Sequence, residues 1–209
     1  MVKTVTGALK VLSKKIIETK IEHIKYGSDE DVAKAVQSGD VSAFEVLMHR
    51  YEMKINRYIL RILPDYEEAQ DLLQETFMKV YININSFDAK RRFSPWIYRI
   101  AHNEVINRLR QKKKEMISPF DLDTFLPMSL KEDVMNKVED IKLTSAELNN
   151  CMGKLEIKYR EPLLFFYLEE LSYNDISDIL RIPVSTVGVR IKRGKDMLKK
   201  ICKEMGYEP

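Results

Sequence analysis

Apolar residues along this chain recur mainly every three or four positions, the spacing of one helix face. Between Val41 and Ile62 the positions Phe44, Leu47, Met48, Tyr51, Ile55, Tyr58, Ile59 and Ile62 form a wide stripe, which predicts one long helix. Ser42 and Glu45 read as a capping box at its start, and Pro64 ends it. Asp65 is placed to cap a second helix, running to about Ile84 with Ala69, Leu73, Phe77, Val80, Tyr81 and Ile84 inward. After a polar loop over 85–93, Ser94-Pro95 reads as an N-cap followed by proline at the first helical position. The third long helix then carries Ile97, Ile100, Ala101, Val105 and Leu109 inward. A short helix near 31–38 completes a compact first domain.

The helical signal fades between Met116 and Lys142, where Ser118-Pro119, Pro127 and scattered acids break each candidate run. It resumes near Thr144 with two short helices up to Leu171. Ser172 and Asp175 then form a capping box for a helix over 173–180, the turn Arg181-Ile182-Pro183 follows, and a last helix runs from Ser185 to about Glu204. That is helix-turn-helix spacing. The expected fold is all-α, two small helical domains joined by a flexible linker: an N-terminal extension over 1–28, a first domain over 29–114, a linker over 115–144 and a helix-turn-helix domain over 145–209. Seven Gly and seven Pro in 209 residues leave little room for a turn-rich all-β alternative.

Charge sharpens this picture through its distribution, since the net value is only +3. Residues 90–114 hold nine basic side chains against Glu104 alone, and 181–203 hold eight against Asp196 alone. Residues 64–76 hold five acids and no base. A polyanion and a basic protein partner could thus be bound at once. Cys151 and Cys202 lack CxxC spacing or a nearby His pair, which predicts buried thiols in a reducing compartment and neither a zinc nor a redox motif. No window has the length of a membrane span, and residues 1–27 interleave lysines with single apolar residues, so no membrane insertion and a cytoplasmic location are expected.

Three constellations carry chemistry. The last helix presents Arg190, Lys192, Arg193, Lys195, Lys199 and Lys200 after a short turn, suited to a major groove with most lysines on phosphate. In 87–114, Phe87, Phe93, Trp96 and Tyr98 interleave with Lys90, Arg91, Arg92 and Arg99. Aromatic faces stack on unpaired bases while cations follow the backbone, which suits an opened strand. Asn103 lies seven residues beyond Trp96 and its amide can read the edge of an extruded base. The plainer reading is that Phe93 and Trp96 are core. Asp71, Gln74 and Glu75, at i, i+3 and i+4, project from one face of the second long helix and would suit a basic protein partner.

The runs AQDLLQETFMKVY (69–81), SPWIYRIAHN (94–103) and LSYNDI (171–176) through PVSTV (183–187) resemble extracytoplasmic-function sigma factors of bacterial RNA polymerase in order and spacing. The resemblance covers about 29–114 and 145–204. It implies that Asp71, Gln74 and Glu75 dock on core RNA polymerase. It implies that the 85–93 loop with Trp96 and Asn103 captures a flipped base of the minus-ten promoter element, with Phe87, Lys90, Arg91, Arg92, Arg99 and Arg110 along the single strand. The last helix would read the minus-thirty-five duplex through Ser185, Thr186, Arg190, Lys192, Arg193 and Lys195. An anti-sigma factor is a further implied partner; no cofactor or metal is implied.

Some positions depart from the family pattern. Gly188 and Val189 stand where a basic residue and Ser are common, so the promoter sequence does not carry over. His102 replaces a common Arg and Asn107 a common Asp. Arg181 replaces the usual turn glycine, so either the turn needs no positive φ or Arg181 bears it at some cost. In residues 1–27, Leu9, Leu12, Ile16, Ile17, Ile21 and Ile24 would line one face of a lysine-rich helix; a frayed extension and a docking or inhibitory segment both fit. The alternative function is a helix-turn-helix regulator with a helical sensory domain, which has no need of a single-strand surface. An enzyme would have to use His102, Glu104, His49 or the Asp71 and Glu75 pair, none of which has metal or nucleophile spacing.

Overall fold

The structure, a computed structural model, describes residues 27–115 and 145–207; among them every regular element is a helix. In chain order these are α1 (Asp29–Gln37), α2 (Val41–Ile62), α3 (Tyr66–Asn83), a 3-10 turn (Ile84–Ser86), α4 (Phe93–Glu115), α5 (Ser145–Lys154), α6 (Ile157–Tyr167), α7 (Tyr173–Leu180) and α8 (Val184–Glu204). Residues 116–144 of the expected linker, nearly all of the N-terminal extension and the last two residues lie outside the described residues; Glu115, expected in the linker, ends α4. No described helix is long and apolar enough to cross a membrane.

In the first unit α2 packs against α1 and α3, and α3 against α4. Leu47, Tyr51, Ile55 and Ile59 of α2 are fully buried, as are Ala69 and Val80 of α3 and Ile97, Ala101 and Val105 of α4, all on predicted inward faces. Two positions turn out differently. Met48 and Tyr81 are 38% and 44% exposed, because each sits at the edge of its stripe; the Tyr81 ring meets only the rim of the core, edge-on to Phe44 at 5.0 Å.

Helix starts are set partly by groups that the local pattern does not reveal. Asp65 caps α3 as expected, accepting from the Glu68 N–H at 3.0 Å. For α2 the cap is Asp40, whose carboxylate accepts from the Ala43 N–H, and Ser42 donates its hydroxyl to Asp40 instead of capping. Ser94 does not cap α4 either. That helix starts at Phe93, whose N–H donates to the Glu30 carboxylate of α1 at 2.9 Å. A further capping box, Ser28 with Asp31, starts α1; the Ser28 hydroxyl and N–H hold the Asp31 carboxyl below its ordinary range.

In the second unit α5, α6 and α7 all pack on α8. The predicted Ser172 and Asp175 capping box is present with both bonds. Arg181 ends α7 in the left-handed region, φ 53° and ψ 47°, so it bears the strained turn that the family's glycine would occupy. The Ser177 hydroxyl, donating to the Ile182 carbonyl, and the Ile182 N–H, donating back to the Ser177 carbonyl, hold this turn closed.

Cys151 of α5 and Cys202 of α8 are joined as a disulfide across 51 residues, their Cα atoms 5.4 Å apart, which overturns the expectation of free thiols. Burial of both was legible; their pairing follows from α5 lying on α8. Gly194 allows α6 to approach α8 closely, since a Cβ there would stand 3.1 Å from Leu163 Cδ1 and 3.2 Å from the Tyr159 carbonyl oxygen. Gly→Ala in a helix interior usually gains about 1 kcal/mol. At Gly194 the backbone oxygen cannot swing away, so Gly194→Ala should show no such gain in thermal unfolding; a stabilisation of about 1 kcal/mol would contradict the close approach.

Candidate nucleic-acid interface

Asp71 and Gln74 project from α3 into solvent, while Glu75, half-buried, accepts from Arg108 of α4 at 3.1 Å. Glu68 is held by Arg108 at 3.5 Å and by Lys112, so part of the acidic stripe fastens α3 to α4 and part stays open. Glu104, the lone acid of the basic run, is buried and paired with Lys79.

The basic loop between the 3-10 turn and α4 exposes Lys90, Arg91 and Arg92. Its foot is fixed by the Gln37 amide, which donates to the carbonyls of Ile84 and Phe87 at 2.8 Å each. Asn103 and Arg110 of α4 are exposed and Arg99 is half-buried. Phe87 and Trp96 are not open stacking platforms. Both are buried, with centroids 5.3 Å from each other and 5.2 and 5.5 Å from Phe93, which itself sits edge-on to Tyr51 at 5.4 Å. Trp96 and Asn103, seven residues apart on α4, therefore differ in setting: the indole floors the loop and the amide stands in water.

On α8, Ser185, Lys192 and Arg193 are exposed, and Thr186, Arg190 and Lys195 are half-buried. The helix starts one residue before Ser185, after Pro183 and without a side-chain cap, which leaves the Ser185 hydroxyl free of capping duty. Gly188 lies next to Tyr173 of α7 and Val189 is 48% exposed.

The two units meet along α4 and α7 and where α5 lies on α2, and α6 adds side-chain contacts to α2 and α4. Glu161 of α6, 3% exposed, accepts from the Tyr58 hydroxyl at 2.6 Å and lies 2.7 Å from His102 Nδ1, a ring nitrogen that must donate to a carboxylate. Glu169 takes Arg57 at 3.1 Å and the Tyr98 hydroxyl. Tyr58 stacks on Phe165 at 5.0 Å. Outside this seam Arg91 pairs with Asp178, and Arg92 with Asp175 at 2.5 Å. Two acids of α7 thus meet the basic loop of the other unit. None of these pairs was legible. Buried tyrosine hydroxyls signal only that a partner exists.

Burial first, and the neighbouring carboxylates second, push the Tyr51, Tyr58 and Tyr98 hydroxyls well above the ordinary tyrosine value. A raised value in the folded state means that the stability tied to these protons is complete below about pH 10 and is lost as pH climbs toward the raised values. In an alkaline titration followed by tyrosinate absorbance, these three of the ten tyrosines should ionise last, together with loss of structure. Ten hydroxyls titrating as one ordinary class would contradict the burial of Tyr51 within the first unit and of Tyr58 and Tyr98 at the seam.

Models described as "Sigma-70 region 2" and "Sigma-70, region 4" match residues 47–115 and 145–198. The ECF RNA polymerase sigma factor SigW of Bacillus subtilis is 36% identical over 178 residues, covering 82% of this chain and 95% of that protein. SigM of the same organism is 34% identical over 152 residues, covering 71% and 90%. Among solved structures, the sigma factor RpoE of Bartonella quintana, in complex with the anti-sigma factor NepR, superposes with a TM-score of 0.63 at 19% identity over 78% of this chain and 98% of that one, a likeness of fold.

Proposed function

The chain belongs to the extracytoplasmic-function sigma factors and directs RNA polymerase to promoters; from this premise we propose that it divides the work among three surfaces. Residues 29–114 form the unit that docks on core polymerase and handles the minus-ten element. Residues 145–209 form the unit that reads the minus-thirty-five element. Asp71 and Gln74 grip core polymerase, with Glu75 shared between that contact and Arg108. Lys90, Arg91, Arg92, Arg99 and Arg110 follow the opened minus-ten strand and Asn103 reads a base turned out of the stack. Phe87 and Trp96 act from beneath, as the packed floor that fixes the loop.

Ser185, Thr186, Arg190, Lys192, Arg193 and Lys195 of α8 lie along the minus-thirty-five groove. Bond-making chemistry belongs to the polymerase; this chain supplies binding energy that offsets unpairing. Work alongside polymerase places it in the cytoplasm, and an anti-sigma factor of the kind bound to the Bartonella quintana RpoE is the regulatory partner.

The observation that carries this reading is that the two basic surfaces sit on separate units, one on a loop over an aromatic floor and one on a helix after a tight turn. Such a pair suits a single strand and a duplex held at once, whereas a conventional regulator needs only the second. The test is a salt titration of holoenzyme on promoter duplex. Removing an arginine that neutralises one phosphate, as in Arg190→Ala or Arg193→Ala, should make the slope of log affinity against log salt shallower by about 0.9. An unchanged slope would mean that α8 does not lie on DNA.

A further inference from the structure

The contact between the two units sets a small aromatic cluster, Tyr58 and Tyr98 on Phe165, among polar groups that water can take back. Glu161 is buried and the Glu169 side chain is 6% exposed, and the two accept from hydroxyl, imidazole and guanidinium partners of the first unit. At the same seam Arg57 and Arg61 each bury an Nε that has no hydrogen-bond partner. A permanently fused core tends to be apolar and satisfied, whereas a contact meant to part resembles a transient interface, more polar and imperfectly paired. Parting would hydrate both arginine nitrogens and both carboxylates, which lowers the cost of separation.

The outer rim of the same contact falls on the basic loop. Arg91 and Arg92 remain 61% exposed as side chains, yet their guanidinium groups are already engaged by Asp178 and Asp175. A carboxylate and a phosphate compete for the same donors of an arginine. We propose that the second unit is an intramolecular inhibitor of the first, with α7 holding Asp178 and Asp175 on Arg91 and Arg92 as stand-ins for the phosphates of the minus-ten strand. This rests on the reading above that the loop takes single-stranded DNA. Asp71 and Gln74 stay exposed in the closed state, so docking on core polymerase precedes opening, and opening precedes capture of the strand. A chain not yet on polymerase is thereby kept off single-stranded DNA.

The test uses the full free chain and a fluorescent single-stranded oligonucleotide carrying the non-template minus-ten segment of a promoter mapped from induced transcripts. Asp178→Lys combined with Glu169→Gln removes one rim pair and weakens the seam, while leaving the Ser172 and Asp175 cap of α7 in place. This variant should keep its helical circular dichroism, show a larger radius of gyration in small-angle scattering, and bind the oligonucleotide about tenfold more tightly, as expected when a competent state of about one-tenth population becomes dominant. Adding Arg91→Ala and Arg92→Ala should erase the gain. If the double variant loses helicity, Asp178→Asn alone serves, with a smaller gain in the same direction.

Unchanged affinity in a folded variant, whether or not its radius grows, overturns the inhibitor. Failure of the underlying reading looks different: holoenzyme with Arg91→Ala and Arg92→Ala would still open the promoter as well as wild type. A defect there, together with wild-type oligonucleotide binding by the Asp178 variants, rejects the closure alone.

Discussion

Replacing Asp71 and Gln74 with arginine is expected to weaken binding to core polymerase by at least about 100-fold, or about 3 kcal/mol, with the fold intact. Both side chains stand in solvent on α3, opposite the face that carries Ala69, Leu72 and Phe77 into the core. Surface substitutions of this kind usually change stability by no more than about 0.5 kcal/mol. Glu75 is a poorer choice for reversal, because an arginine there would face Arg108 and loosen α3 from α4. Like charges set against a basic partner cost several kcal/mol, so a pull-down on immobilised core polymerase should lose the double variant while its circular dichroism is unchanged. Full retention would remove the docking assignment.

Asn103→Ala is expected to cost on the order of 1–3 kcal/mol in open-complex stability, the worth of one good base contact. Asn103 is exposed on α4, one turn beyond Arg99 and on the far side of that helix from Ile97, Ala101 and Val105, so its removal leaves no cavity. Duplex binding through α8 should be spared, because that helix belongs to the other unit. Trp96→Ala gives a less selective result. The indole is packed between Phe87 and Phe93, and its loss would loosen the whole loop along with any base contact. Asn103 is therefore the sharper probe, although the indole was as prominent in the sequence.

The helices were legible because burial imposes a period: Leu47, Tyr51, Ile55 and Ile59 could lie on one face only if α2 was a helix. The same rule, applied more strictly, would have placed the aromatic residues too. Phe93, Trp96, Ile97 and Ile100 follow spacings of three and four, which is a core face, yet the basic residues between them suggested a stacking surface. Helix starts were legible where the cap is local, as at Asp65 and Ser172, and hidden where it comes from elsewhere, as with Glu30 on the Phe93 N–H, 63 residues away. The left-handed Arg181 was one of two open alternatives, and only backbone geometry decides between them.

The seam was out of reach of any local pattern. Glu161 meets Tyr58 and His102 across 103 and 59 residues, and nothing near any of the three specifies the others. His102, which departs from the family's usual arginine, finds its partner there. The Cys151 and Cys202 pair failed for the same reason, since spacing rules see metal sites and redox motifs but not two helices laid side by side.

The most direct measurement of the division of labour is permanganate reactivity of unpaired thymines on one mapped promoter, as a full duplex and as a premelted bubble. Polymerase would carry the wild-type chain, Asn103→Ala, or Arg190→Ala with Arg193→Ala. The account predicts that Asn103→Ala fails to open the duplex and is partly restored on the bubble, where unpairing is already done. The α8 variant should lose occupancy on both templates, because the minus-thirty-five contact is needed either way. Normal opening by Asn103→Ala on the duplex, or an identical pattern for the two variants on both templates, would contradict it.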